Sequence, residues 1–403
     1  MKIAIISDLH LGFRQYGSLE RENDFYKQFH KVCNEINQYD PNMVIIAGDL
    51  FDKPTPSPAA INAYKIGINS LVAKDIFTIK GNHTMILRDN HYSIDDFFGS
   101  DEIEDYHFLD DSRGIINNVQ IDGITYRTNS NIDEFLEIQK KMAQTCSKDN
   151  YNILVVHQSF KEFCGFTGEE LSITDIDLSN YNAIICGHIH SRFDVVLSDG
   201  VKFIQPGSIE RLNTLEALDE HKNGKGFYLL DTEKNSLEFH KVECDRDFFL
   251  GEINLESRED LQNHLENLND ILDKLENPPI ISYTYVNNGL NIDEVREKIG
   301  LVKDNVLLNK SNIDDRTEEE VIIEILDDEM PTVLEAIKMF GEKSGLKEEE
   351  CILAADLHNT INNNIENVDG VLNKYFKKDK EEYKKTYEED KELEECIKYF
   401  GGE

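Results

Sequence analysis

A layered α/β fold, its sheet covered by helices on both faces, is predicted for the first 245 residues of this 403-residue chain. Three observations predict it. Short β-branched runs of strand length alternate with longer stretches of helical pattern, the βαβα order that builds such layers. The runs are apolar at successive positions, as strands buried on both faces are. Five of them end in Asp, His or Asn, at the edge where ligands gather when strands run parallel. These are IAIISDLH (3–10), NMVIIAGDLFD (42–52), FTIKGNH (77–83), NILVVHQ (152–158) and NAIICGHIH (182–190). They are read as five endings in one sheet.

Taken in order, strand 3–8 precedes a helix over 20–38, then strand 43–48, a Pro-rich loop (53–58), helix 59–73 and strand 76–80. Shorter strands are expected near 106–110, 115–121 and 123–127. A helix over 131–144 leads to strands 152–156 and 182–186, and strands 193–197, 201–205 and 226–231 close the sheet. The pattern changes near 245–252. Strand 248–253, helix 258–275, strand 280–286, helix 292–299 and strand 305–309 form a small α+β domain of normal domain size. The expected domains are therefore 1–245, the α+β domain 246–312, an acidic linker 313–330, two helices within 331–376 and a charged tail 377–403. No internal repeat is visible.

Composition bounds the rest. Hydrophobic residues make up 39% of the chain, enough for real cores. No apolar run approaches membrane-spanning length, and the chain opens directly on a strand pattern, so a cytoplasmic protein is expected. Cys33, Cys146, Cys164, Cys186, Cys244, Cys351 and Cys396 are scattered without a CxxC, which fits reduced thiols rather than a disulfide frame or a thiolate zinc site. The net charge is −37, with −16 in residues 1–250 and −21 in the rest. Charge alone argues against a nucleic-acid partner, because duplex affinity rests on basic contacts to phosphate.

The strand endings supply the chemistry. Residues two apart on a strand point the same way, so Asp8 with His10, and His188 with His190, can each face one cation. Candidate ligands are Asp8, His10, Asp49, Asn82, His157, His188 and His190. Seven nitrogen and oxygen donors exceed one tetrahedral ion. They suit two five- or six-coordinate ions sharing a carboxylate, with water in the remaining positions. Asp49 is the natural bridge. Two such ions roughly 3.5–4 Å apart activate water and clamp both oxygens of a phosphoester. His83, next to Asn82, points elsewhere, toward substrate, to protonate the leaving oxygen or bind phosphate. Asp52 is placed to hold one imidazole nitrogen of His83. Gly48, Gly81 and Gly187 each precede a ligand where the chain must turn. His30, His91, His107, His221, His240, His264 and His358 end no strand run and are read as surface or core residues.

The ordered motifs DxH (Asp8, His10), GDxxD (48–52), GNH (81–83), a single His after a strand (His157) and GHxH (187–190) resemble those of calcineurin-like metallophosphoesterases. More narrowly, LGFRQYG (11–17), RENDFYKQF (21–29), GDLFDKPTPSP (48–58), VVHQ (155–158), PGSIER (206–211) and GKGFYLLD (224–231) resemble the archaeal SbcD-type double-strand-break repair nucleases, the meiotic-recombination-eleven family. The resemblance is clear over 1–250 and loose to about 376. It implies a metallophosphoesterase fold of central mixed sheets flanked by helices, with a small capping domain and C-terminal helices. It implies one Mn²⁺ held by Asp8, His10, Asp49 and His190, and a second held by Asp49, Asn82, His157 and His188, with Mg²⁺ the less suited ion. His83 would be the general acid or phosphate-orienting group. It further implies 3′-to-5′ exonuclease action on DNA ends and single-strand endonuclease action. A homodimer through helices near 59–73 and 88–98 follows, as does docking of the C-terminal helices on the coiled-coil base of an SbcC-like ABC ATPase. The apolar positions Ile352, Leu353, Ala355, Leu357, Ile361, Ile365, Val368, Leu372 and Phe376 would form that dock, the alternative being a helical hairpin that packs on itself. One departure stands out: relatives carry an acid after GNH, where this chain has Thr84.

The resemblance also answers the charge objection. Two divalent ions add four positive charges where phosphate must sit. Arg14, Lys53, Arg88 and Arg192 lie near the motifs and offer local phosphate contacts. Two rival readings use the same residues: a two-metal phosphodiesterase or phosphatase for a small phosphoester, which needs no partner dock, and a silent scaffold, which would have lost ligands.

Overall fold

The structure is a computed structural model that describes residues 1–84, 94, 98, 105–164, 171–300, 302 and 306–316. Residues 1–314 form one compact unit. The expected helices within 331–376, the tail 377–403, most of the linker 313–330 and most of the segment 88–98 lie outside the described residues.

The five ligand-bearing runs fall in two sheets, not one. The first sheet has the order β12-β11-β1-β2-β3-β4. Its strands β1 (Lys2–Ile6), β2 (Met43–Ile46), β3 (Asp75–Thr78) and β4 (Tyr106–Phe108) run parallel. Antiparallel β11 (Gly226–Asp231) and β12 (Ser236–Lys241) complete one edge. The second sheet has the order β5-β6-β7-β8-β10-β9. Here β6 (Val119–Ile124), β7 (Tyr151–His157), β8 (Ala183–Gly187) and β10 (Lys202–Gln205) are parallel. The outer strands β5 (Ser112–Ile116) and β9 (Phe193–Val196) are antiparallel to their neighbours.

Side-chain alternation explains why two sheets form. Ile3, Ile5, Met43, Ile45 and Phe77 pack against Val119, Ile121, Ile153, Val155 and Ile185, so the inner faces of the two sheets meet. The alternate residues Ala4, Ile6, Val44 and Ile46 pack on Phe29, Val32, Ile36, Tyr64 and Ile68. These belong to helices α1 (Leu19–Asn37) and α2 (Pro58–Ser70). On the far side Leu154, Val156, Ile184 and Cys186 pack with Phe135 and Ala143 of α3 (Ile132–Gln144). The central strands β1, β2, β7 and β8 are buried on both faces, as expected, but one of those faces is covered by the opposing sheet and not by a helix. Helix entries are set locally: Ser18 Oγ accepts from Arg21 N at 3.2 Å, and Ser57 Oγ from Ala60 N at 3.1 Å with Pro58 at the first helical position.

Two sequence expectations shift. The strands expected at 115–121 and 123–127 are instead β5 and β6, joined by a two-residue turn at Asn117 and Asn118, with Ile116 paired to Val119. Asn117 takes φ 52°, the left-handed conformation a tight hairpin turn demands and Asn tolerates. Strand β12 and a helix α4 (Thr214–Asn223) appear where none was expected.

Residues from 248 onward build a third sheet from β13 (Phe248–Leu255), β14 (Ile280–Asn287), β15 (Leu308–Asn309) and β16 (Asn312–Asp315). Helices α5 (Arg258–Leu272) and α6 (Ile292–Gly300) belong with it. Leu255, Leu261, Tyr285, Val295 and Ile299 form a core of their own there. A buried ionic network joins this sheet to the first helix. Arg21, wholly buried, donates to Asp24 Oδ2 at 2.7 Å and to the Arg211 carbonyl at 2.9 Å, and pairs with Glu210 at 3.4 Å. Arg246 pairs with the same Asp24. The Arg21 and Arg211 guanidinium groups lie 5.3 and 4.5 Å from the ring centroid of Phe248, the first residue of β13.

Candidate metal centre

The carboxyl ends of β1, β2 and β3 in one sheet and of β7 and β8 in the other open on the same side, and the side chains just past them converge. The turns that achieve this are strained. Asp8 (φ 52°), His10 (φ 44°), Asp49 (φ 46°) and His188 (φ 86°) all occupy the left-handed region that residues with a Cβ avoid. Strain of this kind costs ~1–3 kcal/mol per residue and persists where the surroundings impose it, typically at functional sites. Gly48 (φ 93°) is required for a second reason: a Cβ there would lie 2.3 Å from Nδ1 of His157.

Seven side chains meet. Asn82 Oδ1 lies 3.0 Å from His157 Nε2 and 2.9 Å from His188 Nδ1. Asp49 Oδ2 is 3.1 Å from the same His157 Nε2 and 3.8 Å from His10 Nε2. His10 Nε2 is 3.1 Å from His190 Nε2, and both stand 4.0 Å from Asp8 Oδ1. Asp49 thus touches both groupings, the position expected of a bridge. Asp8 also accepts from the His188 backbone N–H at 3.1 and 3.2 Å and from Ser7 Oγ.

The donor chemistry fits cations. His157 donates Nδ1–H to the Ala47 carbonyl at 2.8 Å, which leaves a lone pair on Nε2 in the neutral ring. That lone pair faces the oxygens of Asn82 and Asp49, with no hydrogen between three acceptors. His190 donates Nδ1–H to Glu216 Oε1 at 3.0 Å, so its Nε2 is likewise a lone pair aimed at His10. The array around His157 repels unless a proton or a metal ion sits among its acceptors, whereas His10 and His190 can share one hydrogen between their Nε2 atoms. A cation about 2.1 Å from two donors at right angles holds them about 3 Å apart, the spacing seen.

Electrostatics agrees. Burial disfavours the His157 cation, but the charge and hydrogen bond of Asp49, with Asp8 behind it, outweigh burial and raise the imidazole to about 9. A positive charge is favoured at that spot, and a metal ion competes with the proton for it. Burial, then the neighbouring His157, depress His188 to about 3, leaving it neutral as a ligand must be. His10 is pushed well down, chiefly by burial.

His83 lies beside the cluster. Its backbone N–H donates to Asp49 Oδ1 at 3.0 Å, and its ring meets His10 edge-to-face at 4.6 Å. Its side chain is 36% exposed, open to an incoming molecule. Nδ1 donates to the backbone carbonyl of Asp52 at 3.0 Å, while the Asp52 carboxylate stands 3.8 Å from that nitrogen and 4.0 Å from His10 Nδ1. Asp52 therefore holds the ring first through its main chain. Thr84 is fully buried, and its hydroxyl has no hydrogen-bond partner among the described residues.

Glu216, hydrogen-bonded to His190, is the residue of this cluster that the sequence reading missed. Its available signal was the Asn213–Glu216 spacing of a helix start: Asn213 Oδ1 accepts from Glu216 N at 2.9 Å. Of the basic residues near the motifs, Arg14 is paired with Glu22 at 2.7 Å. Arg192 is spent on the fold, donating to Asn223 O and Tyr228 Oη and lying 4.2 Å from the Phe239 ring centroid. Lys53 is exposed, and Arg88 lies outside the described residues. Two of the histidines read as structural have such partners, His30 with the Ala63 carbonyl at 2.8 Å and His107 with Asp75 at 2.9 Å, while His91 and His358 lie outside the described residues.

This fold and cluster are those of a metallophosphoesterase, and the model of the calcineurin-like phosphoesterase family matches residues 1–192. The chain is a dimetal phosphoesterase. Within that class it belongs to the family of the DNA double-strand break repair protein Mre11. It is 31% identical over 339 residues to that protein of Methanococcus maripaludis, covering 80% of this chain and 87% of the relative. The Methanocaldococcus jannaschii protein is 28% identical over 331 residues, covering 78% and 83%. No helix among the described residues is long and apolar enough to cross a membrane.

Proposed function

We propose that the chain is a Mn²⁺-dependent DNA nuclease of double-strand-break repair, acting as a 3′-to-5′ exonuclease on duplex ends and as a single-strand endonuclease. The observation that carries the reading is the convergence of seven lone-pair donors beside a half-open His83. Asp8, His10, Asp49 and His190 would hold one ion, and Asp49, Asn82, His157 and His188 the other. Bound there, the two cations supply Lewis-acid charge neutralisation for the phosphodiester and its attacking water.

The chain's own residues do the rest. Asp49, whose Oδ2 faces both groupings while Oδ1 accepts from the His83 backbone N–H, fixes their separation. His83, oriented by the Asp52 carbonyl, carries its proton on Nδ1 and presents Nε2 to substrate. It orients a phosphate oxygen or, once protonated, gives the leaving oxygen its proton. Residues 246–312 are read as a capping domain pinned through Arg246. A homodimer through α2 and the segment near 88–98, and docking of helices within 331–376 on a coiled-coil ABC ATPase, complete the proposal. A cytoplasmic, nucleoid-associated location accords with it.

The test is incubation of the chain with a labelled duplex carrying a recessed end, in Mn²⁺ and separately in Mg²⁺. Release of mononucleotides in Mn²⁺ supports the reading. No release, with rapid turnover of a small phosphodiester, favours the rival small-molecule phosphoesterase.

A further inference from the structure

Helix α4 reaches the metal centre through one carboxylate. Glu216 is buried, and each of its oxygens is committed. Oε1 accepts from His190 Nδ1 at 3.0 Å and from Asn213 Nδ2 at 2.9 Å. Oε2 accepts from Lys225 Nζ at 3.0 Å, Ser208 Oγ at 3.1 Å and Leu212 N at 3.2 Å. Lys225 in turn donates to the His190 carbonyl at 3.0 Å and to Ser208 Oγ at 2.6 Å. The pair therefore grips His190 at two points, ring and backbone. Among the described residues no carboxylate is hydrogen-bonded behind His157 or His10: His157 is held by a carbonyl, and the Asp52 carboxylate stands 4.0 Å from His10 Nδ1, beyond hydrogen-bond reach.

We infer that Glu216 is a positioning residue for one of the two metal positions. It fixes the His190 tautomer with Nε2 free, sets the ring's angle and raises the basicity of that nitrogen, with Lys225 holding the main chain in register. The inference rests on reading His190 as a metal ligand. A carboxylate behind a ligating imidazole has this effect, and its loss costs about 10–100-fold in metal affinity. The consequence is an asymmetric centre, in which the position bound by His190 depends on α4 and the position bound by His157 and His188 does not. Through Ala217, α4 also packs on Phe248 and Ile280 of the third sheet, so the same helix touches the metal centre and the sheet beyond it.

Calorimetric titration of the metal-stripped full chain with Mn²⁺ tests this without any activity measurement. Wild type binds two equivalents. Glu216→Gln and Glu216→Asp are expected to keep one equivalent at wild-type affinity and to weaken the other about 10–100-fold. Glu216→Asp keeps the charge opposite Lys225 while shortening its reach, so it guards against a folding defect in the amide variant. Unchanged binding of both equivalents, or equal weakening of both, overturns the inference. His190→Ala separates the two layers. If it also leaves both equivalents intact, the reading of His190 as a ligand fails; if it loses one while both Glu216 variants lose none, only the positioning role fails.

Discussion

His157 Nε2 stands 3.1 Å from Asp49 Oδ2 while its other nitrogen is held 2.8 Å from the Ala47 carbonyl, which joins a histidine of the second sheet to a carboxylate of the first. The contact is made only because the two sheets pack face to face. Ala47 lies in the same run that carries Asp49, so one segment both orients the imidazole and supplies the charge it faces. The centre is thus a product of sheet packing, and it should respond to changes at the seam.

Gly48→Ala is the sharpest such change. The added Cβ would meet His157 Nδ1 in a backbone conformation that alanine resists. A stability loss of about 1–3 kcal/mol is expected, together with loss of Mn²⁺ binding. Gly200→Ala, at φ 87° with open space around it, is the control: it should strain the backbone alone and leave metal binding intact. Denaturant melts and metal titrations on both variants read the difference.

Asp49→Asn should weaken binding of both ions, by about 100-fold or more, since a shared ligand counts at least as much as the groups that orient one. Loss of only one equivalent would remove Asp49 from its bridging role.

Metal occupancy should show in stability. With free Mn²⁺ at about one hundred times its dissociation constant, the chain gains about 2.7 kcal/mol per site over chelator-treated protein. A thermal transition that does not move with Mn²⁺ would speak against a preformed centre.

The Arg21 network gives a pH prediction remote from the metals. Burial raises Glu210, but the charges of Arg21 and Arg211 outweigh it and hold its carboxyl below the usual range. A depressed folded value contributes stability at neutral pH, and that contribution is lost as pH falls from about 4.3 through the folded value. Glu210→Gln should therefore flatten the acid limb of the stability curve. Arg21→Met, which strands buried carboxylates, should cost about 3 kcal/mol at neutral pH.

DNA affinity of the isolated chain should be low. Arg14 and Arg192 are engaged within the fold, and the net charge is −37. Filter binding at physiological salt is expected to give a dissociation constant of about 10⁻⁴–10⁻⁶ M, tightening when the proposed ATPase partner is added. Nanomolar binding by the chain alone would contradict this.

The legible parts of the molecule were those with local causes. The runs ending in Asp8, Asp49, Asn82, His157 and His188 announced themselves by β-branched content and by donors at a strand's end. Their division between two sheets left no local trace, because a residue facing a second sheet is as apolar as one facing a helix. The hairpin around Asn117 was misread because apolar residues flank the turn closely on both sides. Helix α4 was missed because Thr214–Asn223 is short and largely polar, and with it went Glu216, whose role depends on a fold-back onto His190.

The most direct test of the central claim pairs metal occupancy with nuclease action in His83→Ala. Two bound Mn²⁺ and mononucleotide release reduced about 10²–10⁴-fold from a recessed duplex end is the expected result, since the proposal gives His83 proton or phosphate chemistry and no metal ligation. Release at the wild-type rate with both ions bound would contradict the account, and so would loss of the metals themselves.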